Sequence, residues 1–160
     1  GFALGELDRN EQALNCFNFA VDLDDTNIEA WRGRGYILVE LSEYNEALTC
    51  YNRALEIDDA NAITWKNKGY ALSQLERFEE AIDCYNQALE INESDVSVWA
   101  MKGYALNGSG EYEAALECLD RALDIDRSYA VAWKHKSYSL RNLGRDAEAE
   151  RCYERFEELN

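Results

Sequence analysis

The chain has 160 residues, 47% of them apolar, no proline and a formal net charge of −16 from 32 acidic and 16 basic residues. That apolar share supports a buried core and excludes a disordered chain. Such an acid excess repels phosphate backbones and argues against nucleic acid as a partner, and no run of 18 apolar residues is present to span a membrane. The chain opens at Gly1 without a charged-then-apolar leader, the start expected of a trimmed fragment.

Taken in chain order, the elements repeat. Trp31, Trp65, Trp99 and Trp133 each follow the last by 34 residues, and so do Cys16, Cys50, Cys84, Cys118 and Cys152. Ala13, Ala47, Ala81, Ala115 and Ala149 keep the same period, as do Tyr36, Tyr70, Tyr104 and Tyr138. Within a unit, apolar residues recur at helical spacing: Trp65, Leu72 and Leu75, then Ala81, Tyr85, Ala88 and Leu89. Asn27, Asn61 and Asp95 precede the Trp-bearing helices, where a side-chain oxygen caps free N–H groups. Polar breaks at Leu41-Ser42-Glu43 and Gly108-Ser109-Gly110 predict two helices per unit. Neither helix buries its apolar face without neighbours.

In the unit 62–95, Trp65, Gly69, Ala81, Tyr85 and Ala88 form a pattern that resembles the tetratricopeptide repeat. Gly35, Ala47, Tyr51 and Ala54, and then Gly103, Ala115 and Ala122, carry it into units 28–61 and 96–129. The resemblance implies an all-α fold, a right-handed α-α superhelix of about four and a half hairpins forming one domain over 1–160. Residues 1–27 form a partial first repeat, with Gly1 at the Gly position, and 130–160 a divergent last one. There Ser137 replaces the Gly, Glu150 and Glu157 replace apolar residues, and Phe156 stands where a small Ala is usual. A wetter terminal cap and ordinary divergence both account for this copy. The family's usual Pro is replaced by Asp25, Asp59, Glu93 and Arg127, which permits the second helix to run on and alter the pitch. Arg34, Lys68, Lys102 and Lys136 stand where Leu is frequent, and their stems can cover apolar surface.

The other residue patterns are weighed against chemistry. The five cysteines are one per repeat, and equivalent points on stacked helices lie at least ~8–10 Å apart, beyond the ~7 Å reach of a disulfide. They read as small, half-buried, reduced thiols of a cytoplasmic protein, with no metal site. His135 is the only histidine, an exposed or groove-lining side chain rather than a catalytic base. A calcium loop starting at Asp22 fails, because Asn27 and Gly33 fall where Gly and Glu are required. With no nucleophile–base arrangement and no phosphate-cradling loop, neither enzymatic activity nor a cofactor is expected. The tryptophans fall at the family's packing position.

What the resemblance implies for function lies on the concave face, lined by the second, fifth, ninth, twelfth and thirteenth places of each unit. The ninth places are Tyr36, Tyr70, Tyr104 and Tyr138. The fifth are Arg32, Lys66, Ala100 and Lys134, and the twelfth include Ser73, Asn107 and Arg141, with Asn67 at a sixth place. Four groove cations, Arg32, Lys66, Lys134 and Arg141, face two acids, Glu29 and Glu40. The carboxylate clamp that grips chaperone tails is not matched: Tyr36, Ser97 and Met101 break it in one register, and Tyr70, Met101, Val131 and His135 in the next. The implied function is a protein–protein interaction scaffold that holds a peptide or protein segment in the groove, with carboxylates meeting the cations. The alternatives are a structural spacer of a longer solenoid, an end-to-end homo-oligomer, and capture of a basic partner by the acidic outer surface.

Overall fold

A computed structural model describes residues 2–160, with side chains from Arg9 onward. The described residues form nine helices: α1 (Phe2–Leu23), α2 (Ile28–Glu40), α3 (Tyr44–Ile57), α4 (Ala62–Gln74), α5 (Phe78–Ile91), α6 (Val96–Ser109), α7 (Tyr112–Ile125), α8 (Ala130–Asn142) and α9 (Asp146–Glu158). Helices α2–α3, α4–α5, α6–α7 and α8–α9 pair as hairpins, and each second helix packs on the first helix of the next pair. This is an all-α solenoid whose core forms three buried clusters, joined through the partly buried Ile82, Trp99 and Trp133. Its centre is built from Tyr51, Leu72, Tyr85, Val98 and Leu119, all fully buried. No described helix is long and apolar enough to cross a membrane.

Each hairpin turn uses one left-handed residue at the same register place: Ser42, Glu76, Gly110 and Gly144, with φ of 62°, 58°, 86° and 72°. The following amide then reaches back five residues, as in Arg77 N–H to the Leu72 carbonyl at 3.0 Å and Glu111 N–H to Leu106 at 2.8 Å, so the helix ends with its carbonyls satisfied. The predicted break at Gly108-Ser109-Gly110 shortens to Gly110 and Glu111, since α6 continues through Ser109. Phe78 explains Gly108: its ring lies where a Cβ would sit, at 2.5 Å. In α1, the equivalent stretch 7–9 forms no turn and the helix runs through it.

The second helices do not run on. Helices α1, α3, α5 and α7 stop at Leu23, Ile57, Ile91 and Ile125 despite the missing proline. Two devices replace it. Asp24, Asp58, Asn92 and Asp126 each fold their side chain onto the amide two residues ahead, at 2.8–3.2 Å. Each turn is then fastened by the tryptophan of the next helix. The indole N–H of Trp31, Trp65, Trp99 and Trp133 donates to the carbonyl of Asp25, Asp59, Glu93 and Arg127 at 2.7–2.9 Å. Those acceptors are the residues that stand in place of the proline. Arg34, Lys68, Lys102 and Lys136 lie over the same four rings at 5.1–5.6 Å, a cation–π contact that also covers the indole faces.

The capping expectation holds. Asn27 and Asn61 accept from Ala30 and Thr64 amides at 2.9 and 3.0 Å, and Asp95 accepts from Ser97 and Val98. Tyr129 heads α8 without a side-chain cap. The cysteines are free thiols, but Cys50, Cys84, Cys118 and Cys152 are buried rather than half-buried, and Cys16 is exposed. Burial pushes the Cys84 thiol up to about 11.

The repeated glycine has a steric reason. A Cβ at Gly35 or Gly69 would come within 2.6 Å of the Tyr51 or Tyr85 ring, and one at Gly103 equally close to Leu119. The last copy shows the converse. Ser137 fills the slot and donates to the Ala149 carbonyl at 2.8 Å, and its aromatic partner Tyr153 is 37% exposed where Tyr85 is 0%. On α9 the remaining departures knit together: Arg141 pairs with Glu150 at 3.7 Å and lies over Tyr153, while Lys134 lies over Phe156. Glu150 and Glu157 occupy the places of Leu116 and Leu123, which the preceding copy buries against α8. This end carries charge where internal copies carry leucine.

Candidate functional site: the concave tyrosine face

The first helices present Tyr36, Tyr70, Tyr104 and Tyr138 in a row, exposed by 52%, 38%, 38% and 52%. Two of the rings, Tyr104 and Tyr138, are steadied by the heads of second helices. Phe78 meets Tyr104 edge-on at 6.3 Å, and Tyr112 meets Tyr138 at the same separation. All four are partly open to solvent.

Three cavities lie along this row. The first, about 540 Å³, brings together Arg32, Tyr36 and Asn67 with Phe17 and Ile37. The second, about 310 Å³, gathers Tyr70 and Tyr104 with Met101, Tyr129, Val131 and His135. The third, about 420 Å³, joins Tyr104, Lys134 and Tyr138 to Phe78 and Asn107. Lys66 and Arg141 line none of the three.

The expected band of groove cations is largely neutralised. Arg32 pairs with Glu29, one helical turn back. Lys66 reaches Asp95 at 3.1 Å and the Ser97 hydroxyl at 3.3 Å, which ties α4 to the cap of α6. Burial opposes ionisation of Asp95, yet the bonds from Ser97 and Lys66 hold its carboxyl below the usual range. Arg141 turns to Glu150 and Tyr153 on α9. Among the described residues, Lys134 is the one groove cation with no carboxylate within bridging distance. Three of the four pair because an acidic chain offers carboxylates close by: Arg32 and Arg141 find theirs within their own repeat, and the Lys66 stem reaches the head of the next hairpin.

Two places counted as groove lining do line it, Ser73 in the second cavity and Asn107 in the third, but their polar groups are already engaged. The Ser73 hydroxyl donates to the Gly69 carbonyl at 2.9 Å and meets the Tyr85 hydroxyl at 3.2 Å. Asn107 is buried and donates to the His135 carbonyl at 3.1 Å, while its own carbonyl accepts from Ser139 at 2.7 Å. Sequence reading missed Tyr129, Met101 and Val131 as cavity residues. Tyr129 replaces an Asn/Asp cap, and that substitution was the available signal. His135 lines the groove, as one of its two expected placements held, with its ring 5.1 Å from Tyr104. Burial, with Lys134 beside it, holds the imidazole at about 4, so it is neutral at pH 7. Among the described residues, no group of three His, Cys, Asp or Glu is placed to hold a metal ion.

Three family models match the sequence: a TPR repeat model over residues 35–76 and tetratricopeptide repeat models over 62–95 and 96–129, together an unbroken stretch from 35 to 129. With the hairpin stack and its recurrent glycine–aromatic slot, this places the chain in the tetratricopeptide-repeat family, a class of helical-repeat interaction scaffolds. Among solved structures it is similar to MamA, at 18% identity and TM-score 0.87, covering 94% of this chain and 88% of that one. MamA residues 41 to the end from Desulfovibrio magneticus RS-1 align at 19% identity and TM-score 0.88, covering 96% and 88%. YrrB, a TPR protein with an unusual peptide-binding site, aligns at 23% identity and TM-score 0.81, covering 99% and 81%. At these identities the likeness concerns the fold. No curated protein matches the sequence.

Proposed function

We propose that the chain is a binding scaffold that holds a segment of another protein along its concave face, across Tyr36, Tyr70, Tyr104 and Tyr138. The observation that carries this reading is the row itself: four tyrosines at one place per repeat, 38–52% exposed, with cavities between them. Tyrosine supplies a rigid apolar body with a hydroxyl handle, the combination enriched at binding hot spots. Arg32 and Asn67 edge the first cavity, and Lys134 offers the third an unneutralised cation. Lys66 and Arg141 shape the edges of the groove through their acid partners. The fold similarity to YrrB supports a peptide as one form of ligand. The reading is of a scaffold with no catalytic step.

The test is capture of partners from a cell lysate on the wild-type chain and on a Tyr36/Tyr70/Tyr104/Tyr138→Ala variant of matching helicity. A partner retained by wild type and lost by the variant is expected; equal retention would move binding off the concave face. A second reading, self-association, draws on the exposed Phe19 and Leu23 of α1, at 70% and 77%. Light scattering over a dilution series separates the two, because a monomer at every concentration removes self-association.

A further inference from the structure

The three groove cavities differ in charge. The first has Glu29 and Arg32 in its wall and the third has Lys134. The middle one has no side chain that is charged at neutral pH: its lining runs from Tyr70 and Ser73 through Ala100, Met101 and Tyr104 to Tyr129, Val131 and His135. On a chain of net charge −16, a neutral pocket between two charged ones is a selective feature.

Its floor is apolar and already satisfied. Ala100 is 1% exposed, and the buried Ser73 hydroxyl is engaged by Gly69 and Tyr85. A charged side chain entering here would lose its hydration and meet no counter-charge, whereas an apolar one displaces water from apolar wall. The wall is also held in place. The His135 carbonyl accepts from both Asn107 and Ser139 at 3.1 Å, which pins the turn of α8 whose imidazole faces Tyr104. A cavity shaped before the ligand arrives spares the cost of ordering its walls.

We infer that the middle cavity is the anchor site of the groove, taking one large neutral side chain (aromatic, Leu or Met) from the bound segment. This rests on the concave-face reading and names what that face selects. A neutral anchor also fits the pairing of Lys66, whose ammonium is held by Asp95 and the Ser97 hydroxyl.

The experiment selects binders for the full chain from a random dodecapeptide display library and measures each by fluorescence anisotropy. The expected result is an enriched large apolar position whose replacement by alanine weakens binding at least tenfold. The same loss is expected when the protein carries Met101→Glu, or Val131→Lys, the latter at a site 44% exposed and tolerant of charge. Thermal melts confirm that both variants fold. Peptides that lose binding to Tyr36→Ala and Tyr138→Ala yet ignore Met101→Glu and Val131→Lys would overturn the anchor and leave the groove standing. Peptides indifferent to every tyrosine replacement, or a library from which nothing enriches, would overturn both.

Discussion

Gly69→Ser tests the slot that holds each repeat together. A Cβ there would come within 2.6 Å of the Tyr85 ring, so serine and the buried ring cannot both keep their places. The last copy shows a serine and a partly exposed ring side by side: next to Ser137, on a helix that no later hairpin covers, the equivalent Tyr153 is 37% exposed. If Tyr85 moves as far, it re-exposes roughly a third of the ~150–250 Å² that an aromatic buries, about 50–90 Å². At ~25 cal/mol per Å² this costs about 1–2 kcal/mol. Losing the Tyr85–Ser73 bond adds about 1 kcal/mol, and serine's better helix propensity returns about 0.5 kcal/mol. The expected net loss is about 2 kcal/mol, read from urea melts by far-ultraviolet circular dichroism. The reciprocal Ser137→Gly is expected to change stability by less than about 1 kcal/mol. A Gly69→Ser chain within about 0.5 kcal/mol of wild type would refute the slot argument.

Three further outcomes follow from the structure. His135 sits at about 4 against an ordinary 6.5, so the fold favours the neutral ring: its contribution is complete above pH 6.5 and is lost as pH falls toward 4. Between pH 7.5 and 5 this amounts to about 2 kcal/mol, and His135→Gln should flatten the slope in that window. Trp65→Phe keeps a ring under Lys68 but removes the donor to Asp59, and a loss of about 1 kcal/mol is expected in a denaturant melt. A copy of 62–95 grafted after residue 160 should leave the melting temperature unchanged. With Glu150→Leu, Phe156→Ala and Glu157→Leu added, it should raise that temperature, since the graft then meets the face an internal copy presents.

Much of the fold was legible because a repeat repeats its physics. The 34-residue period, the capping Asn27, Asn61 and Asp95, and the tyrosine row are register properties, and register survives translation into structure. Contacts between repeats were harder to read. Lys66 finds Asp95 at the head of the next hairpin and Arg141 finds Glu150 on the other helix of its own, so counting charges along one helix overestimated the free cations. The missing proline was legible as a difference but not as a substitution of mechanism. Asp24, Asp58, Asn92 and Asp126 do its work only together with an indole seven residues on. Ser73 and Asn107 face the cavities as counted, yet their polar groups are claimed by neighbours in three dimensions, which the count along one helix does not show.

The tryptophan fastening has an optical consequence. Each indole bridges its own helix to the turn of the preceding repeat, so every junction between hairpins carries its own fluorophore with a hydrogen-bonded N–H and a cation above the ring. Stacked repeats exchange energy mainly with their neighbours and can open from one end. Four chains, each retaining a single tryptophan, would therefore resolve the order in which the junctions part, reading position along the solenoid as a sequence of emission changes.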